Sequence, residues 1–85
     1  MYQITITQSA LKELSKLSKA TLKKVEKAID GLSENPRPEG VKKLKGISEA
    51  LYRIRSGDYR VIYAVDDAIH IVDIRKVGHR KDIYK

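Results

Sequence analysis

The chain has 85 residues, 41% of them hydrophobic and 34% charged, and a formal net charge of +7. That length gives one domain, 1–85, and the apolar content argues against disorder. It has no cysteine, which excludes disulfides and thiolate metal sites, and no apolar run approaches the length of a membrane span. The N-terminus MYQITIT lacks a basic leader pattern, so a cytoplasmic protein with no membrane partner is expected. The charge is unevenly placed. Residues 1–40 carry seven Lys/Arg and five Asp/Glu, a balance of +2, whereas residues 41–85 carry eleven and six, a balance of +5. Such asymmetry favours a polyanionic partner through steering and counterion release.

In chain order, Tyr2, Ile4 and Ile6 alternate with Gln3, Thr5 and Thr7, the period of a half-buried strand. Thr7 or Ser9 can cap the next element, a short helix marked by Leu11, Leu14 and Leu17. Ser18 offers a second cap, and Leu22, Val25, Ala28, Ile29 and Leu32 form one stripe of a second helix. Lys19, Lys23, Lys24 and Lys27 lie on its outer, solvated face. Asn35-Pro36 ends that helix and Pro36–Gly40 is a loop. From Leu51 the period becomes two: Leu51–Arg55, Asp58–Val65 and Ala68–Lys76 are predicted strands, with turns at Ser56-Gly57 and Asp66-Asp67. The expected fold is α+β in the order β-α-α-β-β-β, with two N-terminal helices on one face of a largely antiparallel four-stranded sheet.

Two-residue turns set a register. They pair Ile54 with Tyr59, Tyr52 with Val61 and Arg53 with Arg60, then Tyr59 with Ile74, Val61 with Val72 and Arg60 with Asp73. One face collects Tyr52, Ile54, Tyr59, Val61, Tyr63, Val65, Val72 and Ile74 for the helices. The other collects Arg53, Arg55, Arg60 and Arg75, with Asp58 and Asp73 among them. A like-charge pair of arginines across two strands is locally unfavourable, and a broken local rule points to a site. The bland alternative has Asp73 neutralising the pair as a surface network. The tail adds Gly78, His79, Arg80 and Tyr84. Beside an arginine face, an imidazole, a guanidinium and a phenol suit phosphodiester chemistry, with cations for the non-bridging oxygens and a group titrating near neutrality.

The run LYRIRSGDYRVIY followed by IRKVGHRKDIY, with Lys43-Leu44-Lys45-Gly46 before it, resembles the RelE-like branch of the RelE/ParE toxin superfamily over the whole chain. The resemblance implies the toxin of a type II toxin–antitoxin pair, an endoribonuclease that cleaves messenger RNA in the ribosomal A site without metal or other cofactor. It implies a cognate antitoxin, the ribosome with its rRNA, and mRNA as partners. In the implied reaction the 2′-hydroxyl attacks the adjacent phosphate, leaving a 2′,3′-cyclic phosphate and a 5′-hydroxyl. By position, Arg53 and Arg55 match the basic pair before the hairpin and Arg60 the phosphate-binding arginine after the glycine turn. Arg80 matches the tail cation and Tyr84 the terminal tyrosine, while Lys43 and Lys45 fall where members approach ribosomal RNA. Some members have lysines where Arg53 and Arg55 stand, and many continue past the tyrosine into another helix. Arginine cannot accept a proton at working pH, which leaves His79 as the candidate general base and Tyr84 as the alternative, either as base or as a stacking platform. A ParE-like DNA gyrase inhibitor without nuclease activity is the competing reading.

Overall fold

The computed structural model describes residues 1–44 and 50–83, in the order β1 (Gln3–Ile6), α1 (Gln8–Ser15), α2 (Lys19–Gly31), β2 (Lys42–Leu44), β3 (Leu51–Ser56), β4 (Tyr59–Asp66), β5 (Ile71–His79) and α3 (Arg80–Ile83). Local chemistry sets both main helix starts. The Thr7 side chain accepts from the Ala10 amide at 3.2 Å, and Ser18 accepts from the Thr21 amide at 3.3 Å; each satisfies a donor that the first helical turn leaves open. Helix α1 buries Ala10 and Leu14, and α2 buries Val25 and Ile29. Leu11, expected on the inner stripe of α1, is half exposed.

The sheet has five strands in the order β1-β5-β4-β3-β2. The strand beyond the expected four is Lys42–Leu44, which pairs antiparallel with Leu51–Arg53. Three residues carry too little alternation to signal a strand in the sequence. After the two helices the chain enters the sheet at the far edge. Three antiparallel steps then return it to lie beside β1, so β5 pairs with β1 in parallel through Gln3–Ile71 to Ile6–Ile74.

The hairpin registers differ from expectation by even steps. The first tight turn is Gly57-Asp58, so Ser56 faces Tyr59, Arg55 faces Arg60 and Ile54 faces Val61. Glycine at the first turn position accommodates φ +61 there. The second connection spans residues 67–70, which sets Tyr63 opposite Ile74 and Val65 opposite Val72. A shift of two residues, or four, keeps every side chain on its own face, so the expected apolar layer survives both errors. Ile54, Val61, Tyr63, Val72 and Ile74 meet Ala10, Leu14, Val25, Ile29 and Leu32 in one core.

One irregularity changes a face. Between Ile62 and Tyr63 the β4–β5 register slips: Tyr63 pairs with Ile74 but Ile62 with Lys76, leaving Arg75 as an extra residue on β5. Beyond this bulge Val77 turns into the core, 1% exposed, and His79 falls opposite Tyr59 on the helix side. Helix α1 covers the edge of β5 there, with the Thr7 hydroxyl donating to the Arg75 carbonyl at 3.3 Å and the Val77 amide donating to the Glu13 carboxylate at 3.1 Å.

At the other end of the sheet a polar clasp joins four segments. The Arg37 guanidinium forms a two-pronged contact with Asp67 at 2.7 and 3.2 Å, lies over the Tyr52 ring and donates to its hydroxyl at 3.2 Å. The Tyr2 hydroxyl donates to Asp67 at 2.6 Å. Bonds from Arg37 first, then Tyr2, hold the Asp67 carboxyl at about 2, below the ordinary carboxylate value. A depressed pKa contributes stability above the unfolded-state value and loses it as pH falls through the folded one. The native chain is therefore expected to lose stability between about pH 4 and pH 2, whereas Asp67→Asn shows a flatter acid limb in denaturation midpoints over that window.

Candidate functional site

The sheet face turned away from α1 and α2 carries the cations. Across three strands the register sets one row of Arg55, Arg60 and Gly78 and a second row of Arg53, Ile62 and Lys76. Directly opposed residues share a face, so both rows look the same way. The like-charge pair is thus Arg55 with Arg60; the expected Arg53–Arg60 pair is one step diagonal.

Arg53 and Arg60 are each only 7% exposed. The Arg60 Nη1 donates to the Gly57 carbonyl at 3.4 Å and the Tyr59 carbonyl at 3.3 Å, which draws the guanidinium back against the Gly57-Asp58 turn. Its Nε is buried and meets no acceptor among the described residues. A buried charged donor left open is costly unless an anion completes it. Burial, then the charges of Arg55 and Arg60, push the Arg53 guanidinium below its ordinary pKa. The shift reflects the buried seat first and the neighbouring cations second, and arginine stays protonated at neutral pH regardless.

Asp73 does not neutralise the pair. It stands opposite Ala64, beyond the bulge, where it accepts from Thr5 Oγ1 at 2.7 Å and from Arg75 Nε at 2.6 Å. The expected pairing of Arg60 with Asp73 is replaced by Arg60 with Gly78. Asp58 instead serves the tail. Its carbonyl accepts from the Arg80 amide at 2.8 Å, and its carboxylate lies 3.9 Å from Arg80 Nε. That exposed ion pair is weak, but the backbone bond fixes the start of α3 beside the turn that holds Arg60.

The structure brings together Arg53, Arg55 and Arg60, and places Arg80 next to their turn. His79 stands apart from them. It lies on the helix side of the sheet, edge-on to Tyr59 with ring centroids 5.5 Å apart, and its Nδ1 accepts from the Lys81 amide at 3.2 Å. The bulge is the cause, because it reverses which side of β5 each residue after Arg75 occupies. Lys43 stands opposite Tyr52, on the helix side of β2. Lys45 and Tyr84 lie outside the described residues. Sequence reasoning missed Lys76. The signal was available in the apolar spacing, which runs Val72, Ile74, Val77 and so breaks the period of two.

The described residues thus form a small α+β domain that gathers the guanidinium groups of Arg53, Arg55 and Arg60 on the sheet face opposite its two main helices. Residues 4–84 match the family model for the ParE toxin of type II toxin–antitoxin systems. The toxin RelE of Mycobacterium tuberculosis is 38% identical over 99% of this chain and 87% of its own, and the mRNA interferase toxin RelE of Escherichia coli is 32% identical over 94% and 84%. The RelE–RelB complex of Pyrococcus horikoshii superposes on 95% of this chain and 97% of the matched chain, with a TM-score of 0.83 and 35% identity. The chain belongs to the RelE/ParE toxin superfamily.

Proposed function

We propose that this chain is the toxin of a type II toxin–antitoxin pair and acts as a ribosome-dependent endoribonuclease that cleaves mRNA in the A site. The observation that carries the reading is the opposed pair Arg55–Arg60 with a buried Arg60 Nε that meets no acceptor among the described residues. Two guanidinium groups held together against their own repulsion suit a phosphate that gains charge in the transition state. The name of the M. tuberculosis relative supports a toxin, and that of the E. coli relative, an mRNA interferase, supports action on messenger RNA.

In the proposed reaction the message's 2′-hydroxyl attacks the neighbouring phosphorus and the 5′-oxygen leaves. Its proton passes to a base and the leaving oxygen takes one up. Arg55 and Arg60 neutralise the non-bridging oxygens, Arg53 adds its charge from the neighbouring row, and Arg80, anchored at Asp58, adds a cation from the tail. Lys43 approaches ribosomal RNA together with Lys45, and Tyr84 handles the proton or stacks on a base. His79 serves in this scheme by shaping the turn from β5 into α3 through its bond from the Lys81 amide. His79→Ala is therefore expected to keep the acid limb of the single-turnover pH–rate profile; a limb near pH 6 lost in that variant would instead make His79 the base. The RelE–RelB complexes of relatives support a cognate antitoxin as partner, and charge complementarity favours an acidic or amphipathic segment of it on the cationic face.

The test is induction in cells with 5′-end mapping of messages. Translation arrest with cuts at A-site codons is expected. Arrest of DNA replication with a DNA-damage response and intact messages would favour a gyrase inhibitor instead.

A further inference from the structure

The second row of the cationic face has a composition that phosphate binding alone does not require. At its centre is Ile62, partly exposed, flanked by Arg53 on β3 and Lys76 on β5. Strands lie about 4.8 Å apart, so the two flanking Cα atoms are separated by roughly 10 Å. Lys76 owes its place to the bulge, since unbroken alternation from Ile74 would have turned it toward the core. It is exposed and forms no ion pair among the described residues. The nearest carboxylate on β5, Asp73, is taken by Thr5 and Arg75. An ammonium group so placed adds to the field of Arg53, Arg55 and Arg60 and has no counter-charge among the described residues.

We propose that Arg53, Ile62 and Lys76 form a nucleotide subsite beside the phosphate seat of Arg55 and Arg60, with Ile62 as the apolar floor for a ribose or base and Lys76 as the contact to the flanking phosphate. This rests on the RNA-cleaving reading above. The division follows from the residues. Row one, with two guanidiniums and a glycine that has no side chain to fill the space, receives a bare anion. Row two, with an apolar centre between cations, matches the alternation of apolar and anionic parts along a single strand of RNA. A free phosphate or an acidic peptide has no need of the Ile62 floor in that position.

The experiment is single-turnover cleavage of a defined message on programmed ribosomes, as a function of toxin and salt concentration. Lys76→Ala is expected to raise the half-saturating toxin concentration about five- to ten-fold and lower the salt slope by about one, with the maximal rate unchanged. Lys76→Arg restores both. Ile62→Thr, which keeps a β-branched residue in the strand, raises the half-saturating concentration without changing the salt slope, and thermal melts of each variant establish that the fold persists. If the wild type cleaves while Lys76→Ala and Ile62→Thr match it in concentration dependence and salt slope, the subsite is overturned and the nuclease reading stands. If Lys76→Ala weakens only antitoxin binding, the row is a protein contact and the proposal also fails. A wild type that cuts no message on the ribosome overturns both readings.

Discussion

Arg60→Ala is expected to lower the single-turnover rate of message cleavage by about 10²–10³ at saturating ribosomes, the cost of losing one preorganised donor to developing charge. Its guanidinium is held by two carbonyls of the Gly57-Asp58 turn region and is 7% exposed, so it need not reorganise when the phosphate gains charge. Lysine at this position should recover little, because one ammonium on a flexible stem cannot bond the Gly57 and Tyr59 carbonyls and still present fixed donors to an anion. The fold should tolerate the change. Alanine relieves the repulsion from Arg55 and removes a buried donor that has no acceptor among the described residues, so the melting temperature is expected to hold or rise. A rate loss with an unchanged melt separates a role in the reaction from a role in folding. Equal loss of rate and stability would assign Arg60 to the fold.

The faces of the sheet were legible in the sequence and the registers were not. Both hairpin turns were misplaced, yet Arg55 and Arg60 still shared a face with Arg53, because even shifts conserve facing. The turn at Gly57-Asp58 was displaced by one residue from the expected Ser56-Gly57, since either dipeptide offers a glycine for positive φ. What patterning could not supply was the bulge. A single extra residue at Arg75 moves Val77 and His79 to the helix side and Lys76 to the cationic side. The order Ile74-Arg75-Lys76-Val77 contains that step, two polar residues where one is due, but two polar residues in a strand also mark its end. The expected strand stops at Lys76, with Gly78 read as the point where the chain leaves it, whereas β5 runs to His79. The association of His79 with the arginines came from closeness in sequence, and the strand separates them by putting them on opposite faces.

The largest stability effect is expected at Tyr63. Its ring is fully buried at the centre of the sheet, stacks on Tyr52 at 5.8 Å between centroids, and its hydroxyl donates to the Pro36 carbonyl at 2.6 Å. That bond ties the segment leaving α2 to β4, so the residue joins both layers of the fold. Truncating a buried aromatic to alanine costs about 3–5 kcal/mol. At about 0.05–0.15 kcal/mol per residue a domain this size has roughly 4–13 kcal/mol in total, so Tyr63→Ala should be largely unfolded on warming or in mild denaturant. Tyr63→Phe keeps the ring and leaves the Pro36 carbonyl without its donor, for a smaller loss of about 1–3 kcal/mol. The phenol also sets an alkaline limit. Burial pushes it up to about 12, so the folded state holds a proton that the unfolded chain releases near pH 10. The stability this contributes is complete below pH 10 and is lost as pH rises through 12. Urea midpoints measured at pH 7, 9 and 10.5 should therefore decline more steeply for the wild type than for Tyr63→Phe at the alkaline end. Parallel declines would mean that the Tyr63 hydroxyl is not held in the protonated, hydrogen-bonded form that links β4 to Pro36.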